Sequence, residues 1–397
     1  MNGMDPVILF GIALALVMTF VNGLNDASHA IATVVATRAL SPSKAVFLTG
    51  ICNMVGPFIF TTAVADTIGT GIVTAAGLTP GSIIVAMLVT TIFVLIATHA
   101  GIPISSSHAL VGGLLGAGIA AAGLSAILLP APAILVSTVI YGLIGAAAGA
   151  VVLCLIAVLF KGDCRLGIAV GAVCGAAITL PLLMILGVLK LTGLLAIVLF
   201  IFLSPVIGII AAFVFDVIIS HLFRYSRQNR MKRIFTPLHV LACLFQAAGH
   251  GANDGMAKVG VITALLLSAG VLSSFAVPGW VILTCAIAIG LGTCFGGWQV
   301  VDKMAKKITK IRPYQGFAAA TAGSATLAMV TSYGVPVSST HVISGAIIGV
   351  GVTRGKNAVQ WDVVREMMMA WVITIPLAAA CAWCGYLLLV VFHVVLL

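Results

Sequence analysis

Residues 101–108 read Gly101-Ile-Pro103-Ile-Ser105-Ser106-Ser107-His108, and residues 334–341 read Gly334-Val-Pro336-Val-Ser338-Ser339-Thr340-His341. The second segment restates the first 233 positions later, and at that offset Gly112, Gly116 and Gly118 fall on Gly345, Gly349 and Gly351. A second pair, Gly23-Leu-Asn25-Asp26 and Gly251-Ala-Asn253-Asp254, recurs 228 positions apart. Two motifs in the same order at nearly one offset mark an internal duplication. Residues 5–160 form a first transmembrane repeat and residues 237–395 a second. Residues 161–236 supply linking helices and a basic loop.

The composition says where such a chain resides. Of its 397 residues, 62% are hydrophobic and only 7% charged. Soluble domains carry about 25% charged residues, so a soluble enzyme is excluded. Apolar spans run over 6–37, 42–65, 82–98, 104–129, 131–160, 166–189, 192–220, 237–267, 277–301, 314–332, 336–353 and 361–394, giving about twelve crossings. The net charge of +10 is concentrated in turns, chiefly Arg224 to Arg233 and Lys303 to Arg312. That pattern marks cytoplasmic loops and not a nucleic-acid surface. With both termini outside, the basic connections at 38–44, 161–165, 221–236, 302–313 and 354–356 all fall inside. The connections at 66–81, 123–130 and 268–278 fall outside, and Lys190 is the one base left there. The start of the chain lacks the basic region of a cleaved signal peptide. The nine cysteines show no metal-site spacing and read as small packing residues, so no metal site is expected from them.

Five crossings per repeat is an odd number, and two linking helices restore the starting side. The second copy therefore enters inverted. The predicted fold class is an all-α integral membrane protein of the inverted-topology repeat kind, with broken or re-entrant helices, the architecture of secondary transporters.

Asp26 and Asp254 lie deep in apolar spans, at symmetry-related positions, although a charge at a helix centre costs about 2.5–3.5 kcal/mol. Each follows an Asn and glycines that loosen the helix. Asn25, Asp26, Asn253 and Asp254 thus offer oxygen ligands for a coupling ion, a monovalent cation or a proton; the alternative is a pair of hydrogen-bonded helix breaks. In the other motif, Pro sets a non-helical approach and Ser or Thr an N-cap. Ser105, Ser106, Ser107, Ser338, Ser339 and Thr340 would then ring two helix N-termini that bind one tetrahedral oxyanion without a fixed cationic side chain, against the plainer reading of interhelical hydrogen bonds. His108 and His341 read equally as packing or functional groups. His29 and His250 lie one turn from the acids and are candidate proton partners. Lys258 follows Asp254 by four, where the first copy has Ala30. It either partners Asp254, standing in for a mobile cation, or snorkels. No nucleotide-binding GxxxxGK[ST] motif occurs, so a gradient must drive any uphill movement. One charge moved against 100 mV costs about 2.3 kcal/mol, which an anion entering a negative interior offsets with co-transported cations.

These segments, with Gly296-Gly297-Trp298 and Gln315-Gly316-Phe317, resemble the inorganic phosphate transporter (PiT) family over nearly the whole chain, and most of all its bacterial low-affinity permeases. The resemblance implies a non-enzymatic, multi-pass protein of the cell (inner or plasma) membrane. Its activity would be symport of inorganic phosphate, in some members as a metal-phosphate complex, with sodium or protons as coupling ions and no other cofactor, often as a homodimer. It further implies that the hydroxyl triplets bind phosphate and the Asn-Asp pairs bind cations. Some members carry sulfate, and an anion channel or a phosphate sensor is the rival of a different class. His29, Ala257 and Ala320 stand where many relatives have Asn, Asn and Glu, which moves the expectation toward protons.

Overall fold

The computed structural model describes residues 5–102, 104–296, 298, 301 and 309–392, without the side chains of 27–30 and 356. Among them the regular secondary structure is entirely helical apart from one isolated bridge, Val73 to Ile127. We number the helices α1 (Pro6–Ala36), α2 (Pro42–Val55), α3 (Ala63–Thr70), α4 (Pro80–His99), α5 (Ser106–Ala122), α6 (Pro132–Leu159), α7 (Cys164–Ile185), α8 (Gly193–Leu222), α9 (Gln228–His250), α10 (Met256–Ser268), α11 (Gly279–Phe295), α12 (Pro313–Ser332), α13 (Ser339–Val352) and α14 (Trp361–Val391).

Six of these, α1, α4, α6, α7, α8 and α14, are long and apolar enough to cross a membrane. The segment Pro42–Phe58 with Ala63–Thr70 makes a seventh if its 76° bend lies within one span. Other expected spans are shorter, interrupted or, in the case of the 20-residue α12, less apolar. Residues 104–129 and 336–353 fold as α5 and α13, of 17 and 14 residues. At about 1.5 Å per residue these helices fall short of a hydrocarbon core about 30 Å thick. Hydropathy alone does not separate a half-helix from a span, because both are apolar throughout. Gly101 (φ 65°) and Gly334 (φ 69°) adopt the left-handed conformation at equivalent positions and turn the chain into α5 and α13.

The two copies interleave. α11 packs on α1, and its counterpart α2 packs on α9. Along α1 and α9–α10, contacts pair Asn22 with Lys258, Asp26 with His250, and Thr33 with Cys243 and His239. One index rises as the other falls, so α1 and its sequence counterpart run antiparallel. α14 packs on α4 and α5, whereas α12 and α13 receive α8. Gly112 and Gly116 of α5 meet the backbone of Ile375 and Ala379 on α14; their counterparts Gly345 and Gly349 meet Pro205 and Ile209 on α8. Both partner helices carry a proline at this crossing, Pro376 and Pro205. α8 thus meets α13 as α14 meets α5, and α6 packs chiefly on α7. Cys154 and Cys164, at the end of α6 and the start of α7, form a disulfide, so these two depart from the reading of cysteines as free packing residues.

Candidate functional site

The duplicated acids stand on dissimilar backbones. Gly251–Gly255 forms a π-helical turn between α9 and α10, whereas Gly23–Asp26 continues inside α1 without a break. The expected loosening of both copies thus holds for one. The second motif has glycines at 249, 251 and 255, while the first has only Gly23. Wider π geometry also frequently marks functional turns. Asp26 and Asp254 are 3% and 2% exposed, and Lys258 is completely buried.

α5 and α13 bring their N-termini to these acids. Ser105 and Ser338 are the N-caps, each accepting from the backbone N–H three residues on, of His108 (3.2 Å) and His341 (3.3 Å). The hydroxyls after them point into the site. Ser106 donates to Asp26 Oδ2 (3.4 Å), and Ser107 donates to Asp254 Oδ1. From the other helix, Ser339 donates to Asp254 Oδ2 (3.1 Å) and Thr340 to the carbonyl of Ile104 (3.3 Å). Beyond the caps, His108 and His341 meet edge to face at 4.8 Å between centroids, and His341 lies 4.0 Å from the Trp371 ring. Two helix N-termini, far apart in sequence, therefore meet around two carboxylates.

Basic groups complete the centre. His250 Nε2 lies 3.4 Å from Asp26 Oδ2 and 3.2 Å from Asp254 Oδ2, bridging the acids. Lys258 Nζ lies 3.8 Å from Asp254 Oδ1 and donates to Asn22 Oδ1 (3.1 Å) and Ser106 Oγ (3.3 Å). Its ammonium thus sits among oxygens as a monovalent cation would, and does not snorkel. His29 is the one candidate whose side chain lies outside the described residues. Asp26, His250 and Asp254 each present a ligand atom within 4.8 Å of the others, a set able to hold a metal ion. Cysteine spacing gave no hint of it, because its members come from both copies.

The asparagines are anchored alike. Asn25 donates to Asp26 Oδ1 (2.8 Å) and the Ile104 carbonyl (3.3 Å), and accepts from Thr98 (2.8 Å). Asn253 donates to Thr331 (2.9 Å) and the Val335 carbonyl (3.2 Å). The buried Asn253 Oδ1 has no donor among the described residues. Thr98 and Thr331 obey the 233-residue offset, which would have revealed them in the sequence. Asn22 and Asn53 were likewise missed. Asn22 accepts from Lys258, and Asn53 Oδ1 lies 3.0 Å from His250 Nδ1. A buried Asn one turn before Asp26 was the available signal for Asn22.

A profile described as "Phosphate transporter family" matches residues 22–165 and 222–382. The chain is 38% identical over 375 residues to a probable low-affinity inorganic phosphate transporter of Rhizobium meliloti (strain 1021), covering 94% of each. It is 32% identical over 392 residues to a protein of the same description in Bacillus subtilis (strain 168), covering 97% of this chain and 99% of that one. Among solved structures, "The sodium-dependent phosphate transporter" superposes with a TM-score of 0.69 at 23% identity, over 98% of this chain and 100% of that chain.

Proposed function

Because the chain belongs to the phosphate transporter family, we propose that it is a secondary active symporter importing inorganic phosphate across the cell membrane with protons or sodium. It is a transporter and not an enzyme. The observation that carries this reading is the meeting of the α5 and α13 N-termini on Asp254. Backbone N–H groups, positive helix ends and hydroxyls make an oxyanion site there, beside buried carboxylates that call for cations.

The shared hydroxyls provide the coupling. In this structure Ser107 and Ser339 donate to Asp254. A cation that takes over Asp254 releases both hydroxyls toward phosphate, and the bound anion in turn stabilises the cation. Each ligand raises the other's affinity, as thermodynamic linkage requires. Ser106, Ser107, Ser339 and Thr340 are the phosphate donors in this scheme, while Ser105 and Ser338 hold the helix ends in place. Asn25, Asp26, Asn253 and Asp254 serve the coupling ion, with the free Asn253 Oδ1 as an available ligand. His250 bridges the acids, and Lys258 acts as a tethered cation that reduces the number of mobile ions needed.

The antiparallel pairing of α1 with α9–α10, and the matching glycine crossings of α5 on α14 and α13 on α8, support two inverted repeats. Within the twelve-segment path, α5 and α13 are re-entrant half-helices, and the α6–α7 hairpin is the insertion between repeats. On this reading the fifth member of the first repeat is α8, where the boundaries 5–160 and 237–395 imply α6.

Purified protein in proteoliposomes, with sodium and proton gradients imposed separately and sulfate as competitor, tests the function. Uphill accumulation of labelled phosphate that sulfate does not displace is expected. Sulfate uptake in its place, flux without accumulation, or binding without flux would each overturn it, as a sulfate permease, a channel or a sensor.

A further inference from the structure

Far from the carboxylate centre, the end of α8, the start of α9 and the start of α12 enclose a cleft of about 510 Å³. Arg224, Lys232 and Arg312 line it from three separate segments, together with the polar side chains of Thr37, Ser226 and Asn229. Among the described residues no Asp or Glu lines it. Arg224 also stacks on the Tyr225 ring at 4.5 Å, which steadies the guanidinium without neutralising it. A topology signal requires bases on this side of the membrane but does not require them to converge with hydroxyl and amide donors on one cleft. The contrasting cleft of about 410 Å³ is lined by one acid, Asp66, as well as one base, Lys190.

The basic cleft also adjoins the contact between α1 and α9. Thr37, on its inner wall, lies 3.3 Å from His239 Nδ1, and His239 Nε2 lies 3.0 Å from Thr33 Oγ1, itself 3.3 Å from Cys243 Sγ. Farther along the same two helices, Asp26 meets His250. Polar side chains thus stand at both ends of the contact between α1 and α9, the carboxylates with His250 at one and the buried His239 beside Thr37 at the other.

We propose that this cleft is a second site for a phosphate-type oxyanion, free phosphate or the phosphate of a lipid headgroup, at the basic mouth of the transport path. Guanidinium and ammonium groups flanked by neutral donors are the chemistry that holds phosphate oxygens. A positive mouth also concentrates the anion on that side. The proposal rests on the phosphate reading above, and its test separates the two.

Phosphate counterflow is measured from each face of oriented proteoliposomes of neutral phosphatidylcholine, for wild type, the double variant R224Q/K232Q and the charge-keeping Arg224→Lys. Thermal stability is followed while anionic phosphatidylglycerol is titrated in. If free phosphate occupies the cleft, the double variant raises KM about tenfold from the basic face only, and Arg224→Lys stays near wild type. If a headgroup occupies it, KM in neutral vesicles is unchanged, while the stabilisation of wild type by phosphatidylglycerol is lost in the double variant. Unchanged side-specific KM together with unchanged lipid stabilisation would overturn the proposal while leaving transport intact. Absence of counterflow in wild type from either face would instead overturn the transport reading, and the lipid titration would still report on the cleft.

Discussion

Replacing Lys258 tests the charge arithmetic of the centre most directly. Its ammonium is wholly buried, 3.8 Å from Asp254 Oδ1, with Asn22 and Ser106 completing an oxygen shell. At that distance and an effective dielectric of about 20, the attraction is about 4 kcal/mol, equivalent to roughly a thousandfold in a binding constant. Lys258→Ala removes the charge and the stem beyond Cβ, leaving space among the same oxygens. A mobile cation held there at 100 times its dissociation constant returns about 2.7 kcal/mol, most of what was lost. Lys258→Met removes the charge but fills the space. The expected result is that Lys258→Ala transports phosphate only when sodium or potassium is raised, with a steeper cation dependence than wild type. Lys258→Met is expected to stay inactive at every cation concentration. Initial uptake rates in proteoliposomes read this out, with monodispersity and thermal unfolding in detergent confirming that both variants fold. Wild-type rates and unchanged cation dependence in Lys258→Met would refute the tethered-cation argument.

Three further outcomes are expected. Ser107→Ala and Ser339→Ala each remove one donor from Asp254 and from the incoming anion, so each should raise the phosphate KM about tenfold to a hundredfold, the scale of a hydrogen bond to a charged group; KM within about twofold of wild type would remove them from the site. Gly116→Val drives a side chain into the Ala379 carbonyl at the crossing of α5 and α14, and should cost about 3 kcal/mol, seen as a lowered unfolding temperature in detergent. In a background without native cysteines, Ser41→Cys and Ser273→Cys, in the equivalent 38–44 and 268–278 connections, should react with an impermeant thiol reagent from opposite faces; labelling from one face would end the inverted-repeat assignment.

The residues gathered at the carboxylate centre were largely visible in the chain. A membrane-buried acid needs a reason, and two such acids in repeated Asn-Asp pairs, with two hydroxyl triplets in matching order, left few. The N-caps were legible because Ser before a helix has a local geometric role, and Ser105 and Ser338 perform it. The shortness of α5 and α13 was not legible, since a half-helix buried in protein is as apolar as a full crossing. Nor was the seating of α8 against α13. That follows from the shape of a glycine groove facing a proline-bearing helix, which depends on close packing and leaves little trace in hydropathy.

Duplication, membrane residence, the candidate anion donors and the candidate cation ligands were thus determined by the sequence alone, because periodicity, charge cost and capping act over short stretches of chain. Only the tertiary structure decided which groups face one another. His250 spans both acids, Lys258 enters the shell of Asn22 and Ser106, and Ser107 and Ser339 share Asp254. These partners lie 85 to 236 residues apart, or one turn apart across a π-helical distortion. Such contacts exist only once two antiparallel copies have packed, because the burial that makes a paired charge strong is a property of the assembled interior.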